Sequence, residues 1–121
     1  MKLLKISAFG KANIIEIPDE KDLTDLYWKI CIELKASAAG PYACCDAIDG
    51  ADIMVYGVDE DVYPTIRNEY IEKIMPDEIF GSCICFAFEK GEDGYHIRGL
   101  SDEEIELIIR KAECEGVDED A

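Results

Sequence analysis

The sequence predicts a single α+β domain of order β-β-α-β-β-α-β-α, in which helices cover a mostly antiparallel sheet. Three observations support this fold class. Residues 79–88 carry no charge and have the length and the aromatic and β-branched content of a strand buried on both faces. Segments with helical apolar spacing lie on either side of it, and an Asp-Gly dipeptide separates two short apolar runs. We therefore expect residues 79–88 to form the central strand, with Ile84 and Phe86 away from any exposed edge.

The beginning of the chain predicts a β-hairpin followed by a helix. Residues 3–7 and 12–17 are the two expected strands, joined by a glycine-containing turn. The helix is expected over residues 22–38, with Asp19 or Asp22 as its N-terminal cap. Its predicted buried stripe consists of Leu23, Leu26, Tyr27, Ile30, Cys31 and Leu34. Its predicted solvated face consists of Asp25, Lys29 and Glu33.

The middle of the chain predicts two more strands and a short helix. Residues 42–48 and 53–58 are the strands, and the dipeptide Asp49-Gly50 between them is typical of a hairpin turn. Pro64 can begin a helix that extends to Ile74. One side of that helix is predicted to carry Ile66, Tyr70 and Ile74.

The last helix has the clearest local signals and is expected over residues 101–114. Ser101 is the predicted N-cap, and Glu104 at the third helical position completes a capping box. Leu100 and Ile105 occupy the two positions of a hydrophobic staple. The buried stripe is predicted to consist of Ile105, Ile108, Ile109 and Ala112.

The sequence also predicts the extent of the domain and its cellular location. The domain is expected to span residues 1–116, with Gly116 ending the last helix and residues 117–121 forming an acidic tail. No apolar run reaches the roughly 18 residues that a membrane-spanning helix needs. Because Lys5 and Lys11 interrupt any apolar region of a signal peptide, the sequence predicts a cytoplasmic protein.

The chain contains six cysteines, which raises the question of disulfides or a metal site. No Cys-x-x-Cys pair is present, whereas structural zinc sites usually present ligands at such spacings. Cys83 and Cys85 alternate along the predicted central strand, so both side chains should lie on one face. We predict reduced, metal-free thiols that act as small apolar side chains, and no cofactor. The six are Cys31, Cys44, Cys45, Cys83, Cys85 and Cys114.

The composition is strongly acidic, with 28 Asp and Glu against 12 Lys and Arg and a formal net charge of −16. Such a surface repels nucleic acid and anionic membranes, so neither is an expected partner. Two interpretations stay open: the charge keeps the protein soluble, or the acidic surface is itself the ligand of a basic groove. For the second, the candidate contact residues are Asp46, Asp49, Asp52, Asp59, Glu60, Asp61, Asp102, Glu103, Glu104 and Glu106.

Catalysis and metal binding have weaker sequence support. His96 is the only histidine, and its place beside a glycine-containing turn is more typical of a structural or exposed side chain than of a general base. No Ser-His-Asp set, phosphate-binding glycine loop or His-x-x-x-His pair is present. The acidic clusters do not have the twelve-residue spacing of a calcium loop. We therefore predict a protein that is not an enzyme.

Six short motifs occur in a fixed order along the chain. They are Leu23-Thr24-Asp25-Leu26-Tyr27, Asp49-Gly50, Val58-Asp59-Glu60-Asp61, Pro64-Thr65-Ile66-Arg67-Asn68, Asp77-Glu78-Ile79-Phe80-Gly81 and Leu100-Ser101-Asp102-Glu103-Glu104. With the order of elements, they resemble a family of small uncharacterised proteins encoded by bacteriophages, plasmids and conjugative elements, and the resemblance covers roughly residues 12–114. The family has no assigned activity, so the resemblance implies a setting, namely a mobile genetic element, rather than a chemistry.

Charge and resemblance together predict a non-enzymatic inhibitor that binds a basic groove of a host defence protein. The expected target handles nucleic acid, as in anti-CRISPR or anti-restriction proteins that mimic DNA. The alternative is a small regulatory or toxin-neutralising protein that binds a basic partner of another kind. Both hypotheses use the same charge and differ only in the partner.

Overall fold

An antiparallel sheet with a helix on each face forms the fold, as the sequence predicts at the level of α+β class. The computed structural model describes residues 1–19, 22–34, 39–48, 51–58, 66–74 and 80–114. In this part of the chain, no helix is long and apolar enough to cross a membrane. The elements are β1 (Lys2–Ile6), β2 (Ala12–Glu16), α1 (Leu23–Leu34), β3 (Ala39–Ile48), β4 (Ala51–Val58), a 3-10 turn (Ile71–Lys73), β5 (Cys83–Gly91), β6 (Gly94–Arg98) and α2 (Asp102–Ala112).

Strand β5 lies at the centre of the sheet, whose order is β2-β1-β5-β4-β3, with β6 also paired to β5. One edge of β5 pairs with β4 along most of its length. The other edge is shared: β1 pairs with its first half, where Leu4 faces Cys85, and β6 with its second half, where Ala87 faces Arg98. Every pairing is antiparallel. The predicted central position is thus confirmed for residues 83–88, but the strand begins at Cys83 and continues to Gly91, past the predicted end at Phe88.

The junction between β6 and β1 is close-packed. A Cβ atom on Gly99 would lie 2.5 Å from the backbone nitrogen of Lys2, so only glycine fits here without movement of the backbone. The next residue, Leu100, donates its N–H to the carbonyl oxygen of Lys2 at 2.8 Å. These contacts hold β6 and β1 end to end along the same edge of β5.

The core is divided by the sheet into two layers, because strand side chains alternate between its faces. The layer under α2 contains Leu4, Ile6, Ala12, Ile53, Val55, Ile71, Cys83, Cys85, Ala87, Leu100, Ile105 and Ile108. The layer under α1 contains Leu3, Leu26, Ile30, Cys31, Tyr56, Ile84 and Phe86.

Strand β5 contributes to both layers, as the absence of charge in its sequence predicts. Cys83, Cys85 and Ala87 point toward α2, whereas Ile84 and Phe86 point toward α1, and all five are fully buried. The prediction that the two cysteines share a face is therefore confirmed. Ile84 and Phe86 are also far from an edge, since β5 is paired on both sides.

Strand β6 is absent from the sequence-based prediction, which places His96 near a loop. The structure instead forms a β-hairpin in which Phe88 faces Ile97 and Gly91 faces Gly94. Gly94 has φ of 114°, a backbone conformation that favours glycine. Ile97 packs against the layer under α1, so even this short strand buries one face.

The helix predicted from Pro64 to Ile74 is wrong within the described residues 66–74, where only the 3-10 turn is helical. The buried side chain of Asn68 accounts for the difference. Its Nδ2 donates to the carbonyl oxygens of Ile6 (3.1 Å) and Gly81 (2.8 Å), and its Oδ1 accepts from the N–H of Ile71 (3.3 Å). These bonds tie the segment to the sheet in place of a helical ladder, and Ile66 is left exposed.

Helix α1 begins where the sequence predicts, and Asp22 rather than Asp19 caps it. Asp22 Oδ1 accepts the N–H of Thr24 at 2.8 Å. The carboxylate of Asp19 instead accepts a hydrogen bond from the ammonium group of Met1 at 3.0 Å. The predicted continuation of the helix through residues 35–38 lies outside the described residues.

The solvated face of α1 differs from the prediction. Lys29 and Glu33 are half-buried, while Leu23, assigned to the buried stripe, is exposed. The most exposed large side chains are Trp28 and Ile32, which the prediction places in neither set. Within the predicted stripe, the fully or nearly buried members are Leu26, Ile30 and Cys31.

Helix α2 buries the predicted stripe but ends earlier than expected. Ile105, Ile108 and Ala112 are buried, and Ile109 packs against the same layer. Glu113 closes the helix in the left-handed conformation with φ of 57°. Its N–H donates to carbonyl oxygens of the last turn, which satisfies acceptors that a helix end leaves open. The predicted stop at Gly116 lies outside the described residues.

Phe86 tests the central role of β5. It is fully buried, and its ring lies 5.3 Å from that of Tyr56 and 5.9 Å from that of Phe88. Because Phe86→Ala removes this packing and leaves a cavity, we expect a loss of about 3–5 kcal/mol in the free energy of unfolding. Urea titration followed by circular dichroism measures it. Phe9→Ala is the matched control, since Phe9 is 68% exposed, and should change stability by less than about 0.5 kcal/mol.

Candidate functional site

The N-terminus of α2 is fixed by the capping box that the sequence predicts. Ser101 Oγ accepts the N–H of Glu104 at 3.2 Å, and Glu104 Oε1 accepts the N–H of Ser101 at 2.7 Å. The staple residues Leu100 and Ile105 are both buried beneath the helix. Acidic side chains in the first turn are also favoured by the helix dipole. The start of α2 is therefore held to the sheet at defined positions.

An ion pair between half-buried Arg98 and buried Glu104 also connects β6 to α2. Arg98 Nη1 donates to Glu104 Oε1 at 2.7 Å, and Nη2 donates to Oε2 at 2.8 Å. Nη1 also donates to the carbonyl oxygen of Gly99 at 2.8 Å. On its other side, Arg98 Nε lies 3.5 Å from Glu89 Oε2. Such a two-point guanidinium–carboxylate contact fixes orientation as well as charge.

The pKa of Glu104 is lowered from its usual value by this environment. Burial alone raises the pKa, since only 2% of the residue is exposed. The hydrogen bond from Arg98, the backbone N–H of Ser101 and the charge of Arg98 together outweigh burial. The carboxylate is therefore ionised at neutral pH inside the protein.

The sequence-based assignment of Glu104 to a partner-binding surface is corrected by these contacts. Both carboxylate oxygens are already bonded within the protein, and the side chain is buried. The sequence groups Glu104 with its acidic neighbours, because position along a helix does not show which carboxylate pairs with an arginine from another element. In this structure Glu104 positions the helix through those contacts.

Three carboxylates remain on the outer surface of α2: Asp102, Glu103 and Glu106, which we call the α2 acidic face. All three are exposed. Helical spacing places them within about a third of the helix circumference. Asp102 accepts a hydrogen bond from Lys2 Nζ at 2.9 Å, and this contact raises the pKa of Lys2. The face is confined to the first half of α2, because Arg110 and Lys111 are basic and exposed in the last turn.

The structure describes only some of the other predicted contact residues. Asp46 belongs to β3, in the stretch where the β3–β4 register shifts, and Asp52 belongs to β4, where it faces Phe88. The predicted contact residues form three acidic clusters along the chain, at positions 46–52, 59–61 and 102–106, and only in the third do all the side chains lie in the described part of the chain. Outside the described residues lie Asp49, Asp59, Glu60 and Asp61.

Cys83 and Cys85 lie together in the layer under α2, whereas His96 is exposed on β6, in register with Glu89. The hydrogen bond with Cys83, together with burial, raises the pKa of the Cys85 thiol well above its ordinary value, so this thiol is protonated at neutral pH. Among the residues that the structure describes, no group of three His, Cys, Asp or Glu side chains is arranged to hold a metal ion. The free thiols identified there are Cys31, Cys83, Cys85 and Cys114.

The sequence-based prediction omits two features that bear on function: Arg98, and the exposed pair Trp28 and Ile32. Arg98 gives no local signal, because its role depends on a carboxylate brought to it by the turn before α2. The exposed pair Trp28 and Ile32 does have a signal: the two residues are four apart, and so lie on one side of a helix. They fall outside the stripe of the predicted buried face.

No protein-family model, curated protein or solved structure matches this chain. The resemblance to proteins of mobile genetic elements therefore stays a prediction. Function has to be inferred from the described side chains, chiefly the α2 acidic face and the contacts that hold it.

The lowered pKa of Glu104 gives a pH-dependent prediction for stability. A carboxylate whose pKa is lower in the folded than in the unfolded protein stabilises the fold above its unfolded pKa. That stabilisation is lost as the pH falls through the folded pKa. Glu104→Gln should therefore lower the free energy of unfolding at pH 7 by about 1–3 kcal/mol, since Arg98 loses a charged partner. The difference from the parent protein should shrink as the pH falls below the ordinary pKa of a glutamate, about 4.3.

Urea titrations across this pH range measure the effect. Glu103→Gln is the matched control, because it removes the same charge from an exposed position in the same helical turn. It should change stability by less than about 0.5 kcal/mol. Equal losses in both variants, or a loss in Glu104→Gln that does not depend on pH, would contradict the assigned role of the ion pair.

Proposed function

We propose that this protein is a non-enzymatic inhibitor that presents carboxylates to the basic groove of a nucleic-acid-handling protein. The observation that carries the proposal is the α2 acidic face, on a helix whose first turn is fastened by a capping box and by the Arg98–Glu104 pair. A groove that binds phosphates selects ligands with negative charges at fixed spacing. The first turn of α2 supplies such charges on an ordered backbone.

Rigidity matters because binding costs the entropy of ordering flexible groups. The backbone beneath Asp102, Glu103 and Glu106 is already ordered by the capping box of the same turn. The side-chain torsions of Glu103 and Glu106 remain to be restricted when a partner binds, whereas Asp102 already accepts a hydrogen bond from Lys2. An acidic segment without such a scaffold would lose more freedom for the same charges.

The spacing of the carboxylates is also compatible with a phosphate-binding groove. At a rise of about 1.5 Å per residue, Asp102 and Glu106 are roughly 6 Å apart along the helix axis. One strand of duplex DNA presents a phosphate about every 3.4 Å of axis, so this separation is close to two steps. The α2 acidic face therefore covers a small part of a phosphate track, and a complete mimic requires further acidic residues.

Long-range charge supports the same function. A net charge of −16 accelerates encounter with a basic surface and makes association sensitive to salt. It also disfavours direct binding of nucleic acid. The more specific target class, a CRISPR or restriction effector, comes from the resemblance to mobile-element proteins. A toxin or regulatory protein with a basic surface is the alternative target.

Charge reversal on α2 tests the proposal. The triple variant Asp102→Lys, Glu103→Lys and Glu106→Lys should weaken binding to a sensitive effector at least about 100-fold, because three attractive contacts become repulsive. Biolayer interferometry with purified CRISPR and restriction effectors, at low and high salt, measures the affinity. Duplex DNA added as a competitor should displace the parent protein if the groove is shared. A neutral triple, Asp102→Asn with Glu103→Gln and Glu106→Gln, should give an intermediate loss.

The control triple Glu16→Lys, Glu92→Lys and Asp93→Lys changes the net charge equally at exposed positions outside α2. It should slow association but retain most of the affinity. A parallel variant with Asp59, Glu60 and Asp61 changed to lysine tests the second predicted cluster. The proposal fails if no effector binds the parent protein, or if the α2 triple and the control triple lose affinity equally. Binding to a basic toxin without competition from DNA would favour the alternative target.

A further inference from the structure

Helix α1 presents an apolar pair to solvent on the side that faces away from the sheet. Trp28 is 57% exposed and Ile32 is 73% exposed. They are one helical turn apart, so they form one continuous patch, which we call the α1 patch. Thr24 and Asp25, a turn earlier in the helix, are exposed beside it. Contiguous exposed apolar side chains are a feature of protein contact sites.

The α1 patch is held in place by the core behind it. Leu26 and Ile30, on the opposite side of the helix, are fully buried against the sheet. The rings of Tyr27 and Trp28 meet edge to face with centroids 5.3 Å apart, which restricts the indole. Lys5 Nζ donates to the carbonyl oxygen of Glu33 at 3.0 Å and satisfies an acceptor in the last turn of α1. Trp28 is thus a preorganised aromatic anchor, of the kind that dominates binding energy at protein interfaces.

Charge and size decide which occupant fits the patch. A second copy of this chain would bring two net charges of −16 together over only a few apolar side chains. Stable homodimers usually bury at least about 800 Å² per partner, far more than one exposed helix turn provides. A membrane surface is disfavoured because its anionic lipids repel an acidic protein. A positively charged protein segment has neither disadvantage.

We propose that the α1 patch docks a basic amphipathic helix of a partner protein. The apolar side of that helix covers Trp28 and Ile32, and its lysines or arginines lie near Asp25 and Asp22, both of which are exposed. The proposal rests on the proposed function, since it assigns the basic partner a second, apolar contact. The α1 patch and the α2 acidic face lie on opposite sides of the sheet. Substitutions can therefore separate the two contacts.

The only tryptophan of the chain is Trp28, so its fluorescence reports on the patch directly. The probe is a synthetic Leu/Lys peptide that forms an amphipathic helix, compared with a peptide in which serine replaces each leucine and the lysines are kept. The leucine peptide should shift the Trp28 emission to shorter wavelength, and the serine peptide should leave it unchanged. Ile32→Ser should weaken peptide binding at least about tenfold. Trp28→Ala should do the same when binding is measured by anisotropy of a labelled peptide.

Two control variants show whether the loss of peptide binding is specific to the α1 patch. Phe9→Ser removes an equally exposed aromatic side chain from the β1–β2 turn and should bind the peptide like the parent. The neutral α2 triple should also retain peptide binding, so loss of effector binding in that triple and loss of peptide binding in Ile32→Ser are independent results. Peptide binding that survives both Ile32→Ser and Trp28→Ala would overturn the proposal. So would sedimentation equilibrium that shows a dimer of the parent chain abolished by Ile32→Ser.

Discussion

The pairing of β5 on both edges, combined with its burial on both faces, sets the position of every other element. On one edge of β5, β1 pairs with the first half and β6 with the second half, and β4 pairs along the opposite edge. Its alternating side chains need a helix above and a helix below. A polar residue at any of its inner positions would leave an unpaired group in one of the two layers. The uncharged stretch in an otherwise acidic chain reflects this constraint.

Much of the fold can be predicted because the local signals agree with the global arrangement. The β5 stretch shows burial on both faces, and Ser101 and Glu104 show where α2 begins, since each depends only on neighbouring residues. The segment before β5 could not be predicted in the same way. Asn68 determines its path by bonding to carbonyl groups on β1 and before β5, which are distant in sequence. Helical spacing in that segment was therefore outweighed by a tertiary hydrogen-bond network.

In the candidate site too, a contact between distant elements determines what local sequence cannot predict. Acidic composition identifies α2 as a charged helix, and exposure of Asp102, Glu103 and Glu106 agrees with that interpretation. Glu104 differs from them because it reaches Arg98, which arrives from β6 and removes its carboxylate from solvent. The α1 patch has a sequence signal in the four-residue spacing of Trp28 and Ile32, but this spacing alone does not show that both side chains are exposed. In both cases the exposure of the side chains depends on how the elements pack against one another, which local sequence does not show.

The end-to-end arrangement of β1 and β6 has a consequence for how the chain reaches its fold during synthesis. Leu4 pairs with Cys85, so most of the chain must emerge from the ribosome before β1 can find its central neighbour. Until then β1 and β2 have only each other, and an isolated two-stranded hairpin is marginally stable in water. The same separation favours slow folding, because a long loop must close before the contact forms. The β1–β2 hairpin therefore exposes strand edges that favour aggregation until β5 is available to pair with it.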